Sequence, residues 1–292
     1  MHANLAKPAW ALVAGASFWG IVWYPYRLLA QAGLDGIWST AFTYGLALLV
    51  GGVVFLRHWK GLLASPWLSL AMGASIGWSN LAYVLAVLEG EVMRVLLLFY
   101  LAPLWTVPIA WLLLAERLDR RSALAMALAF AGAAVMLWRP ELGLPWPASR
   151  AEWLAGAAGF LFALGNVLVR KIDNVSDAGK SIAIWVGVAV AGLAHVPWSE
   201  LSPAQASAVA APQWPIVAGI GVALVAMSYA MQYGLSRLPA NLAIVILLVE
   251  LPVAAIAAWL LAGEVPAAKV YVGGILIVGA TLAATLRKSG SG

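Results

Sequence analysis

The sequence predicts an all-α integral membrane protein with ten transmembrane helices, arranged as two inverted five-helix repeats. The first observation is composition: 64% of the residues are hydrophobic and 10% are charged, whereas soluble domains carry about 25% charged residues. The second is a repeated segment, WLLLAE at Trp111–Glu116 and WLLAGE at Trp259–Glu264, whose copies lie 148 positions apart in a chain of 292. A repeat of half the chain length in an apolar sequence is typical of transporters.

Ten apolar windows can be placed along the chain, each close to the roughly 20 residues that a helix needs to cross a bilayer core. We number them predicted spans 1 to 10: 8–30, 37–56, 66–88, 92–114, 122–138, 152–171, 177–197, 212–235, 240–262 and 266–286. Glycine and proline mark the short connections between them. Because the first window is long and nine others follow, we expect a retained helix there and no cleaved signal.

The repeat divides the chain into a first five-helix unit, 1–145, and a second unit, 146–288. Ser289–Gly292 is expected to be a cloning remnant. Since five is an odd number, the second unit must enter the membrane from the opposite face, and inverted repeats place a binding site near the bilayer midplane. Further segments match in the same order: Phe18–Arg27 with Leu161–Arg170, and Ser79–Leu88 with Ser228–Arg237.

Basic residues predict the orientation. Twelve of the 17 Lys and Arg residues fall on one side of this layout: Lys7, Arg57, Lys60, Arg117, Arg120, Arg121, Arg170, Lys171, Lys180, Arg237, Arg287 and Lys288. The positive-inside rule then predicts a multi-pass protein of the cell inner (plasma) membrane, with both termini cytoplasmic. The net charge of +5 therefore reflects orientation in lipid, and no nucleic-acid partner is expected.

Several chemical classes are disfavoured by the residue content. Cysteine is absent, and His2, His58 and His195 all lie near the ends of predicted spans. No cluster has the spacing of metal ligands, and the segment GIGVAL at Gly219–Leu224 does not match a phosphate-binding loop. We therefore expect no metal, no cofactor and no enzymatic activity.

Polar side chains recur on one face of several predicted spans, because helical geometry turns each residue by about 100°. One interpretation is that these groups merely bond helix to helix; the interpretation we favour is a water-accessible central cavity that holds a small molecule. The candidate substrate-binding residues are Tyr24, Trp78, Ser79, Asn80, Tyr83, Tyr100, Asn166, Ser228, Tyr229 and Gln232. Among them, Trp78, Tyr83 and Tyr100 would contact an aromatic or apolar side chain. Asn80, Asn166 and Gln232 would meet the polar end.

Glu250 lies deep inside predicted span 9, two residues before Pro252. A carboxylate facing lipid is costly, so this residue must face protein or water. It is either a protonatable coupling group or an anchor for an ammonium group. The alternative is a structural carboxyl that bonds to backbone groups freed by the proline.

Predicted spans 5 and 10 carry small residues and almost no polar side chains. Ala127, Ala131 and Gly132 belong to span 5, and Gly273, Gly274 and Gly279 to span 10. Small residues permit close approach of helices. These spans are expected to brace the bundle or to form a homodimer contact.

Four short segments carry a family resemblance. They are YLAP at Tyr100–Pro103, the Glu116 of LLLAERL, the WG pair at Trp19–Gly20, and the stretch from Glu250 through LLAGEVP. Together they resemble EamA-type members of the drug/metabolite transporter superfamily, most of all the YddG-type aromatic amino acid exporters. The resemblance implies helices 1 to 4 and 6 to 9 around a central cavity, with helices 5 and 10 peripheral. Family members usually read Glu-Pro in the second copy, whereas Leu251 intervenes here.

The resulting hypothesis is an inner-membrane exporter of small metabolites, with amino acids and especially aromatic ones favoured, that works by alternating access. Its partners would be the transported molecule and the lipid bilayer. The rival is a multidrug or other metabolite exporter of the same fold. A membrane scaffold without transport activity is the third reading, and the buried polar faces disfavour it.

Overall fold

The computed structural model describes residues 6–90, 92–138, 140–142, 146–263 and 265–286, and the described chain is helical with no strand. Thirteen α-helices are named here α1 to α13. Their bounds are α1 Ala6–Gln31, α2 Gly36–Val54, α3 Pro66–Glu89, α4 Val92–Phe99, α5 Ala102–Leu114, α6 Arg120–Leu137, α7 Arg150–Lys171, α8 Asp177–His195, α9 Pro203–Ala210, α10 Trp214–Arg237, α11 Ala240–Leu247, α12 Glu250–Ala262 and α13 Ala268–Leu286. Glu264 of the repeated segment and the terminal Ser289–Gly292 lie outside the described residues.

Among the described residues, eight helical stretches are long and apolar enough to cross a membrane by length and composition: 36–54, 66–86, 95–114, 120–137, 150–171, 177–198, 214–237 and 240–262. The multi-pass membrane character predicted from composition is thereby supported. The arrangement of ten spans in two inverted repeats stays a prediction. The short helix α9 was not predicted.

Predicted spans 4 and 9 are each broken into two helices, whereas the sequence predicts one continuous helix for each. The first break separates α4 from α5 at Tyr100 and Leu101, and the second separates α11 from α12 at Leu248 and Val249. Pro103 is the second residue of α5 and Pro252 the third of α12. A proline is tolerated there, because the amides of the first helical turn have no partner within the helix. Each proline therefore lies in the first turn of the helix that follows the break.

The connections gather at two ends of the bundle. At one end, Glu116 lies 3.6 Å from Arg170 and accepts a hydrogen bond of 2.9 Å from the Ala240 amide. This is called the inner end, following the orientation predicted from the basic residues. At the opposite, outer end, Arg150 lies 3.1 Å from Glu89.

The helices pack in matched combinations. Helix α1 packs against α10, α11 and α12, whereas α7 packs against α3, α4 and α5. Helix α2 packs against α8, and α6 against α13. Each helix of the first half thus meets helices of the second, so the interior lies between the halves.

Glycines allow the closest of these approaches. A Cβ atom on Gly73 would lie 2.5 Å from the Ala183 carbonyl oxygen, and one on Gly77 would overlap the Gly187 carbonyl. Helices α3 and α8 therefore touch through their backbones, which small residues permit in membrane bundles.

We expect Gly77→Ala to destabilise the fold by about 1–3 kcal/mol, because the added methyl group overpacks this contact. Gly219→Ala is the matched control: this glycine also lies inside a helix, but its Cβ would meet no atom within 4 Å. The control should stabilise the fold by up to about 1 kcal/mol. Thermal unfolding in detergent measures both; equal melting temperatures for the two variants would contradict the close packing.

Candidate functional site

The two helix breaks meet in the interior. The Tyr100 hydroxyl, at the break between α4 and α5, lies close to the carboxyl of Glu250, the first residue of α12. Tyr83 of α3 lies close enough to interact electrostatically with the same carboxyl. An acidic group at a helix N-terminus is stabilised by the helix dipole. The contact between Tyr100 and Glu250 is therefore one of those that join the first half of the chain to the second.

Aromatic rings surround this contact. The ring of Phe99 lies 5.0 Å from Tyr83, 5.3 Å from Tyr100 and 5.4 Å from Phe162, measured between ring centroids. Rings at these separations and angles attract one another and offer flat apolar surfaces to a ligand. The Glu250 carboxyl thus lies beside an aromatic wall.

A glycine of the opposite half approaches each break. A Cβ on Gly159 of α7 would lie 2.5 Å from the Phe99 carbonyl oxygen, and one on Gly20 of α1 would lie 2.7 Å from the Glu250 carbonyl oxygen. A larger residue would push either helix away from the break. These glycines therefore hold α1 and α7 against the interrupted helices.

Polar groups close the inner end. In addition to its ion pair with Glu116, Arg170 donates a hydrogen bond of 2.9 Å to the Ser236 carbonyl. Lys180 donates to the Ser236 hydroxyl at 2.7 Å and to the Val169 carbonyl at 2.8 Å. We call Glu116, Arg170, Lys180, Ser236 and Ala240 the inner polar cluster. Glu116 is its member from the first half of the chain, and the other four belong to the second.

A cavity of about 420 Å³ opens beside this cluster. Its lining includes Arg170, Lys180 and Arg237 together with Asp173 and Asp177. Asp177 lies 2.7 Å from Arg237 in an ion pair, and both residues belong to the second half of the chain. The cavity is therefore a charged vestibule at the inner end.

Three buried amide side chains each have an atom without a hydrogen-bond partner. These atoms are Nδ2 of Asn166, Oε1 of Gln232 and Oδ1 of Asn241, and the residues are 7%, 4% and 4% exposed. Most buried polar atoms in proteins are paired, so such atoms call for an explanation. Asn241 is not among the residues predicted from the sequence, because it stands second in predicted span 9, where a polar side chain needs no interior partner.

The candidate residues predicted from sequence do not all converge. Tyr83 and Tyr100 lie beside Glu250, as described. The Ser79 hydroxyl donates 2.9 Å to the Ala158 carbonyl, and Ser228 accepts 3.1 Å from the Trp185 indole. These two serines therefore bond helix to helix.

Four other candidates have surroundings of their own. Tyr24 makes an edge contact with Trp23 at 5.7 Å, and Trp78 is 51% exposed. Asn80 lines a narrow crevice between α2, α3 and α8. Tyr229 stacks on Phe55 at 5.5 Å and lines the charged vestibule at the inner end. Asn80 and Tyr229 thus line spaces that do not include Glu250.

No group of three or more His, Asp or Glu residues that could hold a metal ion occurs in the described part of the chain.

Comparison with known proteins shows a family match and a curated relative. Residues 6–138 match the model of the EamA-like transporter family. The match includes the YLAP segment at Tyr100–Pro103 and Glu116, which carry the family resemblance. An uncharacterized transporter of Pseudomonas aeruginosa is 37% identical over 157 residues, which are 51% of this chain and 48% of that protein. The chain therefore spans about half the length of this curated relative.

The fold has a counterpart among solved structures. One crystal structure superposes on 100% of this chain and over 100% of its own length, with a TM-score of 0.76 and 19% sequence identity. At this identity the likeness concerns the fold alone. Together, the family match and the relative support an EamA-like membrane transporter; the link to aromatic amino acid exporters stays a prediction.

Proposed function

We propose that this chain is an inner-membrane exporter of small metabolites, with amino acids and especially aromatic ones favoured, that works by alternating access. Both termini would be cytoplasmic. Residues 1–145 and 146–288 would be two five-helix copies of opposite orientation, giving ten spans. The match to EamA-like transporters over residues 6–138 supports the transport class.

The packing combinations support inverted copies. The counterpart helices in the two halves are α1 and α7, α3 and α10, α4 and α11, and α5 and α12. When each helix is replaced by its counterpart, the helices that contact α1 become the helices that contact α7. The contacts of α2 with α8 and of α6 with α13 each join two counterpart helices, so the replacement leaves them unchanged. Such exchange is the property of two copies related by a two-fold axis, and the odd number of spans in each copy would place that axis in the membrane plane.

The observation that carries the proposal is the contact between Tyr100 and Glu250. Discontinuous helices that meet near the midplane form the binding sites of many transporters, because their half-helix ends offer unpaired polar groups and dipoles. Here the two breaks belong to opposite halves, and a carboxyl lies between them. Movement of one half against the other would alter this contact directly.

An asymmetry between the ends supports alternation. At the inner end α5 packs against α11 and α7 against α10. The counterpart pairs at the outer end, α12 with α4 and α1 with α3, are not in extensive contact within the described residues. The inner end is thus more tightly closed than the outer end. Exchange of the roles of the two copies would close the outer end and open the inner one.

The site chemistry favours an aromatic substrate with a polar end. Phe99, Tyr83 and Phe162 supply flat apolar surfaces, while Asn166 and Gln232 supply amides. The same aromatic wall would also suit apolar drugs. Multidrug export is therefore the second candidate, and it requires no recognition of the polar end.

Transport by purified protein in proteoliposomes tests the proposal. We expect counterflow uptake of labelled phenylalanine, tryptophan or tyrosine, inhibited by the unlabelled amino acids. Inhibition by aromatic cations without any amino acid uptake would favour the multidrug exporter. Protein that exchanges neither class would contradict the proposal.

A further inference from the structure

The unpartnered atoms near the inner polar cluster form two complementary sets. On α7, Asn166 Nδ2 is a donor, and Arg170 Nε is a second buried donor without a hydrogen bond. Arg170 Nε lies 3.6 Å from Glu116, which is beyond hydrogen-bond distance. On α10 and α11, Gln232 Oε1 and Asn241 Oδ1 are acceptors. The two donors on α7 thus lack hydrogen-bond acceptors, and the two acceptors on α10 and α11 lack hydrogen-bond donors.

These atoms lie in one region of the bundle. Asn166 precedes Arg170 by four residues and Gln232 precedes Ser236 by four, so each shares a helix face with a member of the cluster, one turn deeper. Asn241 follows Ala240, whose amide bonds to Glu116. The contacts of the cluster therefore bring together the helix segments that carry all four atoms.

We infer that Asn166, Arg170, Gln232 and Asn241 bind the charged end of a zwitterionic amino acid, with its carboxylate on α7 and its ammonium between α10 and α11. A carboxylate accepts hydrogen bonds and an ammonium donates them, so the two sets match the two groups.

The closed cluster hides this site from the inner end. Arg170 belongs to the inner polar cluster and to the inferred binding site. Separation of Glu116 from Arg170 would therefore expose the site on the side that the sequence predicts to be cytoplasmic. An exporter loads its substrate from that side. Because unpaired buried polar atoms raise the free energy of the empty closed state, a bound zwitterion would favour closure around itself.

This inference rests on the proposed transport function and is tested by competition against labelled phenylalanine in proteoliposomes. The competitors are phenylalanine, phenylalaninamide, which lacks the carboxylate, and 3-phenylpropionate, which lacks the ammonium. Asn241→Ala should weaken inhibition by phenylalanine and phenylalaninamide about tenfold and leave 3-phenylpropionate unchanged. Asn166→Ala should weaken phenylalanine and 3-phenylpropionate about tenfold and leave phenylalaninamide unchanged.

Two further variants guard against a general loss of structure. Ser69→Ala removes a buried hydroxyl that is also unpartnered but lies on α3, and its inhibition profile should equal that of the wild type. Asn241→Asp keeps an acceptor and adds negative charge, so it should retain inhibition by phenylalaninamide.

The possible results separate the two proposals. Equal losses for all three competitors in the alanine variants, or no loss in either, would overturn the assignment of the site while leaving transport established. Wild-type protein that takes up no phenylalanine would overturn the aromatic amino acid function and this site with it.

Discussion

Glu250→Gln is expected to abolish uphill export driven by a proton gradient while leaving exchange intact. The carboxyl lies at the contact between the two helix breaks, where gain or loss of a charge would alter the attraction between the halves. A glutamine has nearly the same shape and can still bond to Tyr100, but it cannot change charge. We expect accumulation to fall by about tenfold or more, and counterflow to stay within about twofold of wild type.

Proteoliposomes with an imposed pH gradient provide the measurement. Glu200→Gln is the matched control, because it removes an exposed carboxylate from a connection between helices and should leave accumulation unchanged. If Glu250 instead anchors a substrate ammonium, the Gln variant should lose affinity at every pH and in exchange as well. A lower melting temperature with unaltered accumulation per folded molecule would assign the carboxyl to structure alone.

The sequence alone could predict which residues face the interior better than which of them touch. Tyr100 and Glu250 were each placed inside the bundle from helical periodicity and from the cost of a carboxylate in lipid. Their contact could not be predicted, because it joins residues 150 positions apart through the breaks in two helices. The breaks themselves escaped detection, since an apolar window looks the same whether or not it contains a two-residue turn.

Helical periodicity also shows which side chains share a face of one helix, but it does not show which other helix packs against that face. Trp78 follows Gly77 directly, and Gly77 is pressed against α8, so the indole turns away to an exposed position. Lys180 was counted with the cytoplasmic basic residues, yet it is 2% exposed and bonded to Ser236. The neighbours that bury it come from α7 and α10, and a one-dimensional pattern contains no such information.

Glu116→Ala is expected to open the inner end of the molecule. Glu116 is the member of the inner polar cluster that the first half contributes, and it binds both Arg170 and the Ala240 amide of the second half. Loss of the ion pair and of the hydrogen bond to a charged group removes about 1–3 kcal/mol from the closed state, which corresponds to about 5- to 150-fold in the balance between open and closed forms. The inner end should therefore open far more often.

A single cysteine reports this opening, because the chain contains no other cysteine. Ala243 of α11 is 1% exposed, and a cysteine there should be protected from a membrane-impermeant thiol reagent in inside-out vesicles. In the Glu116→Ala background its labelling should accelerate by about tenfold or more. At the same time, spin labels at Gln31 of α1 and Glu89 of α3 should move closer together, because opening inside is coupled to closure outside.

The ion pair between Asp177 and Arg237 provides the matched comparison. It lies at the same end, with a nitrogen to oxygen distance of 2.7 Å, but it joins α8 to α10 within the second half. Asp177→Asn should therefore leave both the labelling rate and the outer distance unchanged. Faster labelling in both variants, with no change of the outer distance in either, would mean that the substitutions loosen the inner end locally. In that case Glu116 would not hold the two halves together, and closure of the inner end would have to depend on the packing of α5 against α11 and of α7 against α10.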